Sequence, residues 1–451
     1  MKRILSLILA LMFLLSAPLS VFAEETNNNG KDPIYDISLD SQGVYFINLE
    51  TETVLYSKAE DARMFPASLT KIMTALVVLN ECEDIQSETI TITNLSMFDY
   101  IIKDRGVHMG LKVGETFTVH DLLAGLMIES FCDVADLLAK HFGDGDISAF
   151  IQKMNDTAKE LGMENTNFEN AHGLHESNHY SSPRDIAILL RAAMQNDLFR
   201  QIISLRGYSI PATEKVAARK LKHTINSFNE GAKYHLPCYV GGKSGFTNEA
   251  GRCLATYSEQ DGTSYISVLF GANLDKDKKY PGNMAEIETN TLVSYAYENF
   301  SLQTVFEKGQ EVTRLAVTDS EETVSVVASE PITALLRKDS DPNFNLHVPK
   351  EISVKEVKDG KKIGSLDFNF NGEPTKGSHS LSIAWDGKPI ATKSALEKGA
   401  EGAAKAVSDI FSEDKVFVIL FIILLLVIFS TLPLLRLSSY LHKKKMHKPK
   451  H

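Results

Sequence analysis

Ser68 stands three residues before Lys71, about one helical turn, which lifts the lysine amine onto the same face as the serine hydroxyl. A serine is acylated when a base lies within reach of its hydroxyl and donors await the oxyanion. Lysine fills the role of base only when burial or a second cation lowers its proton affinity. The pair is not diagnostic by itself, because Ser412 and Lys415 repeat the spacing. Two further segments make it a constellation. Lys243-Ser244-Gly245-Phe246-Thr247 follows Gly241-Gly242. It offers a cation, two hydroxyls (Ser244 and Thr247) suited to a carboxylate, and Gly245, which lets backbone approach a substrate. Ser130 comes about 60 residues after Ser68.

The elements that must carry these residues are readable from periodicity. Pro66-Ala67-Ser68 opens a helix in which Leu69, Ile72, Met73, Leu76 and Val77 form one apolar stripe. The free N–H groups of its first turn point at an incoming carbonyl oxygen. Thr118 and Asp121 form a capping box for a second helix with Leu122, Leu123, Leu126 and Met127 on its apolar face, ending near Glu129. Another helix is expected from about Val134 to Phe142, so Ser130-Phe131-Cys132 sits at a junction between helices. Gly43 to Asn48 and Val54 to Ser57 read as a hairpin around Leu49-Glu50-Thr51-Glu52. Arg252 to Tyr257 and Tyr265 to Phe270 read as neighbouring strands. Beyond about Phe300 the helical pattern gives way to strand-sized pieces. In one of them Leu366, Phe368 and Phe370 alternate with Asp367 and Asn369. A separate β-rich domain, a small sandwich, is expected over 301–393.

The order Ser-x-x-Lys, Ser-x-Asn (here Ser130-Phe131-Cys132), Lys-Thr/Ser-Gly resembles the penicillin-recognising serine enzymes. Three longer blocks make the chain look like a low-molecular-mass D-alanyl-D-alanine carboxypeptidase: Phe65 to Thr74, Gly110 to Thr118, and Asn170 to His175 with Asn178 to Ser181. The resemblance implies an α+β, β-lactamase/transpeptidase-like domain over 34–300, an antiparallel sheet flanked by helices. It implies that Ser68 is the nucleophile, Lys71 its general base, and Ser130 and Lys243 the carriers of a proton to the leaving amine. The N–H groups of Ser68 and Phe246 would form the oxyanion hole. Ser244, Gly245, Phe246 and Thr247 would line the substrate, with the Ser244 and Thr247 hydroxyls on its terminal carboxylate. The implied reaction removes the terminal D-Ala of a peptidoglycan stem pentapeptide through an acyl-enzyme, which β-lactam antibiotics would trap. No metal or cofactor is called for; His172 and His175 fall in what is, in that family, a structural loop.

The chain departs from the pattern twice. Cys132 occupies the position of the usual Asn, and a thiol is a weak donor and acceptor, so Lys71 and the substrate are expected to be held less firmly. No arginine follows Arg252 before Arg314, where relatives commonly carry one for the carboxylate; Lys276, Lys278 or Lys279 would replace it without the bidentate fork. The alternative these departures raise is a wall-binding or regulatory protein of low turnover on the same fold. A β-lactamase is disfavoured, since no candidate deacylating glutamate stands out.

The ends set the compartment. Met1-Lys2-Arg3, an apolar run from Ile4 to Ala17, and Val21-Phe22-Ala23 read as a secretory signal over 1–23, with 24–33 a polar leader. Val416 to Leu435 is uncharged and long enough to span a bilayer, preceded by a stalk over 394–415 and followed by a basic tail over 436–451. The positive-inside bias puts that tail in the cytoplasm and the catalytic domain outside, on a single-pass cell-membrane protein. Between the two ends lie 39 basic and 58 acidic residues, a net charge of −19, which disfavours nucleic acid as a partner. Four cysteines are too few for a disulfide-built scaffold in 451 residues.

Overall fold

A computed structural model describes Ile34 and residues 37–273, 283–338, 340–370, 373–374, 378–410 and 420–424. The signal segment, leader, basic tail and most of the expected span lie outside these residues. The chain divides into two compact units, 1–302 with 335–343 and 368–377, and 303–334 with 344–367 and 378–451.

Every candidate site residue lies in the first unit. Its strands are β1 (Gly43–Asn48), β2 (Val54–Lys58), β3 (Tyr239–Thr247), β4 (Gly251–Gln260) and β5 (Thr263–Ala272). They form an antiparallel sheet in the order β2-β1-β5-β4-β3. Its helices are α1 (Thr70–Glu81), α2 (Val119–Ile128), α3 (Cys132–Phe142), α4 (Ile147–Glu160), α5 (Pro183–Ala193), α6 (Asp197–Ile203) and α7 (Met284–Asn299). Strand β5 is buried along its whole length. Its alternate side chains enter two cores, Ile266, Val268 and Phe270 joining α1, α2 and α5, and Tyr265 and Leu269 joining Leu292, Val293 and Ala296 of α7. The sheet is thus covered on both faces, the α+β arrangement expected.

Helix α1 differs from its amphipathic reading: Thr70 through Leu79 are all buried. Helices α2, α3, α4, α5 and α6 all pack against it, and a helix enclosed on every side has no solvent face. Each large aliphatic side chain sealed there contributes about 1.5–3 kcal/mol. The polar positions are hydrogen-bonded instead of exposed: Thr70 Oγ1 donates to Ala67 O at 2.8 Å and Thr74 Oγ1 to Ala171 O at 2.6 Å. The capping box of α2 is present, with Asp121 N donating to Thr118 Oγ1 at 3.0 Å and Thr118 N to Asp121 Oδ2 at 3.3 Å; such a cap contributes about 1 kcal/mol. Helix α3 begins two residues before its expected start. Phe131 is extended, and the Cys132 N–H donates to Val107 O at 2.7 Å, so Cys132 becomes the first helical residue.

The second unit is a β-sheet domain. The strands Glu311–Val317, Thr323–Ala328, Phe344–His347, Glu351–Ile352, Lys362–Phe370 (of which 362–367 fall in this unit) and His379–Ala384 belong to one sheet. Leu366 and Phe368 are buried, as their alternation requires. A helix follows over Lys393–Ile410. Leu420 to Leu424, inside the expected span, are helical; among the described residues no helix is long and apolar enough to cross a membrane.

The turn that bears Ser68 is wedged between two glycines. A Cβ on Gly173 (φ +85°) would lie 1.8 Å from Ala67 O, and one on Gly245 would lie 2.9 Å from the Ser68 nitrogen. Gly173→Ala is therefore expected to destabilise the first unit by at least about 2 kcal/mol in chemical denaturation followed by near-UV circular dichroism. A loss below half that would show that the close approach is not needed.

Candidate active site

Ser68 lies in a single 3-10 turn, Ala67–Leu69, that leads into α1. Ala67 has φ +48°, a left-handed conformation that an alanine adopts only under constraint. Side chains three residues apart eclipse in 3-10 geometry, and Lys71 Nζ lies 3.0 Å from Ser68 Oγ. The amine also donates to His172 O at 2.6 Å and meets Cys132 Sγ at 3.4 Å. A neutral amine has two hydrogens and one lone pair. With the hydrogens on His172 O and Cys132 Sγ, the lone pair faces the Ser68 hydroxyl, the arrangement of a general base.

Lys71 is fully buried. Burial lowers its proton affinity, against an opposite pull from Cys132, Asp136 and Asp133. Lys243, midway along β3, is equally buried, and its Nζ donates to Ser244 O at 2.8 Å. Burial pushes its pKa well down, and the charge of Lys71 pushes it further. A protonated Lys71 thus disfavours protonation of Lys243.

Ser130, between α2 and α3, has φ +67°. Its Oγ is buried and has no hydrogen-bond partner among the described residues. Ser68, Ser130, Ser244, Gly245 and Phe246 line one cleft of about 580 Å³. The Ser244 hydroxyl meets Thr224 Oγ1 at 3.0 Å at its wall. Gly245 has a further reason to be glycine besides substrate approach: it lets β3 lie against the Ser68 turn. Thr247 is not brought into the cleft lining; its Oγ1 accepts from Ala250 N at 3.0 Å and closes the β3–β4 turn.

Cys132 does reach Lys71, yet the shortest contact of the amine is with the His172 carbonyl. Histidine 172 thus acts through its backbone, while both ring nitrogens are engaged: Nδ1 accepts from Leu174 N at 3.0 Å and Nε2 meets Tyr100 Oη at 2.7 Å. His175 stacks edge-on against Phe65 with centroids 4.6 Å apart. All four cysteines are buried free thiols.

Sequence reading passed over Arg252. The β3–β4 register sets it opposite Phe246, its guanidinium lies 5.1 Å from that ring, and it lines the cleft. Its Nε is buried with no partner among the described residues. The short turn after Thr247 was the available signal, because antiparallel pairing across it carries Arg252 back beside the substrate strand.

Comparison with known proteins agrees with this geometry. A family model described as D-alanyl-D-alanine carboxypeptidase matches residues 27–274, and one for the penicillin-binding protein 5 C-terminal domain matches residues 300–398. A D-alanyl-D-alanine carboxypeptidase of Bacillus subtilis is 29% identical over 387 residues, 83% of this chain and 92% of that protein. The D-alanyl-D-alanine carboxypeptidase of Streptomyces sp. strain K15 is 33% identical over 235 residues, 51% of this chain and 80% of that one. The crystal structure of a carboxypeptidase from Francisella tularensis, 20% identical, shares the fold with a TM-score of 0.61 over 82% of this chain and 100% of that one.

Proposed function

Because this chain belongs to the D-alanyl-D-alanine carboxypeptidase family, and is a serine hydrolase of that specificity, we propose that Ser68 is its acylated nucleophile and Lys71 the base. The observation that carries this reading is the Lys71 amine, buried and 3.0 Å from Ser68 Oγ. Lys71 takes the hydroxyl proton as Oγ attacks the carbonyl carbon of the penultimate D-Ala in a peptidoglycan stem pentapeptide. The backbone N–H groups of Ser68 and Phe246 stabilise the oxyanion. Collapse breaks the C–N bond, and the proton taken by Lys71 is relayed through the unpartnered Ser130 hydroxyl and Lys243 to the departing D-Ala amine. Water then opens the ester. A β-lactam presents its own carbonyl to Ser68 in the same way.

Ser244 and Arg252 hold the terminal carboxylate in this reading. Arg252 supplies the planar cation that the downstream sequence lacks. Residues 1–23 export the chain and 416–435 tether it, as the basic tail after an uncharged stretch supports.

Fluorescent penicillin is expected to label the full-length protein stably, with labelling abolished in Ser68→Ala, and the wild type is expected to release D-Ala from a pentapeptide. Labelling without release would favour a low-turnover wall-binding protein, and absence of labelling would remove Ser68 as the nucleophile. Arg252→Ala is expected to raise KM for the pentapeptide about tenfold, the worth of one charge-assisted hydrogen bond, with a smaller change in kcat. An unchanged KM would show that the carboxylate is held elsewhere.

A further inference from the structure

Three residues that take no part in the steps above organise the buried side of Lys71. Cys132 and Asp136 lie four residues apart on α3, hence on one helix face, and Cys132 on that face touches the Lys71 amine. Asp136 is 1% exposed. Its Oδ2 accepts from the Tyr100 hydroxyl, and its Oδ1 lies 3.7 Å from His172 Nε2. Because His172 Nδ1 accepts from Leu174 N, the proton of the neutral ring sits on Nε2. That N–H donates to Tyr100 Oη at 2.7 Å. The bonds run in one direction: Leu174 N–H to His172, His172 to Tyr100, Tyr100 to Asp136. The residue held at the centre of this chain is the one whose carbonyl takes the shortest hydrogen bond of Lys71.

Neighbouring Asp133 has a different task. Its carboxylate accepts from Met109 N at 2.9 and 3.0 Å and from Val134 N at 3.0 Å, fastening the loop before α2 to the start of α3. Asp136 has the Tyr100 hydroxyl instead, and its charge is felt by Lys71.

We propose that Asp136 and Tyr100 are positioning residues: their hydrogen-bond chain through His172 aims the His172 carbonyl at Lys71, and the Asp136 charge sets how readily Lys71 accepts the Ser68 proton. This rests on Lys71 being the base of Ser68.

The groups facing Asp136 are Tyr100 from the helix Asp99–Lys103, His172 from its loop, Lys71 from α1, and Cys132 and Asp133 from its own helix. Lys243 and His179 act at one remove, on Lys71 and His172. Burial pushes the Asp136 carboxyl up to about 6, against the opposing pull of Tyr100 and Lys71. It therefore carries its charge at neutral pH and loses it in mild acid. The ionised carboxylate raises the proton affinity of Lys71, so removing the charge must lower it. Burial pushes the His172 pKa well down, with Lys71 and His179 acting in the same direction.

Two substitutions separate the two parts of the proposal. Asp136→Asn keeps an oxygen for Tyr100 and removes the charge; Tyr100→Phe keeps the charge and cuts the chain. The measurement is the second-order rate of acylation of the full-length protein by fluorescent penicillin as a function of pH, whose acid limb reports loss of the proton from the base. Asp136→Asn is expected to move that limb to lower pH by about one unit. Tyr100→Phe is expected to lower the plateau at least about tenfold with a smaller shift of the limb. Tyr100 is 40% exposed, so its variant remains folded and testable should Asp136→Asn not fold. An acid limb unmoved in Asp136→Asn, or a plateau unchanged in Tyr100→Phe, overturns the proposal and leaves Lys71 as the base. A wild type that is not acylated overturns both.

Discussion

A lysine amine shut away from water keeps its proton only if an anion or a dense set of acceptors replaces the lost hydration, and otherwise gives it up. Around Lys71 the touching groups are a hydroxyl, a thiol and a backbone carbonyl. The nearest carboxylates act from farther off. That balance leaves the amine poised: desolvated enough to bind a proton weakly, near enough to negative charge to accept one when Ser68 offers it. Lys243 sits under the same constraint, and the charge of Lys71 lowers its proton affinity further.

Much of the first unit serves to create this enclosure. Helix α1 has to be buried on all sides to place Lys71 out of water, which requires five helices to pack around it. Strand β3 has to lie against the Ser68 turn to seal the other side, which requires Gly245. The loop carrying His172 has to press on Ala67 from beyond, which requires Gly173. Two of the non-glycine residues with positive φ border this enclosure: Ala67 beside the nucleophile, and Ser130 carrying a hydroxyl with no partner among the described residues. A constellation with both features is held by its surroundings rather than by local preference.

The parts of the site legible in the sequence were those determined over short stretches. Ser68 and Lys71 are one turn apart, the Thr118–Asp121 box marks a helix start by itself, and Ser130 falls in the gap between two helical patterns. The family resemblance then tied Lys243 to them across more than a hundred residues, which spacing alone could not do. What escaped depended on tertiary approach. The all-round burial of α1 was hidden because Thr70, Lys71 and Thr74 interrupt its apolar pattern, and only the folded chain shows where their polar atoms are paired. Thr247 reads as a ligand residue, and its hydroxyl also accepts from Ala250 N at the β3–β4 turn. Arg252 looked like the start of an ordinary strand and stands at the cleft. Asp136 was within reach of the helical spacing from Cys132, but Tyr100 arrives from a separate helix and carried no local mark.

The central claim is that Lys71 is a base because its enclosure weakens its hold on a proton. The direct measurement is an NMR titration of the Lys71 side chain in the full-length protein, with Lys71→Arg used to assign its resonance. The account predicts that the amine titrates below the ordinary lysine value of 10.5. Titration at or above that value would contradict it, and would mean that Ser68 gives its proton to some other group.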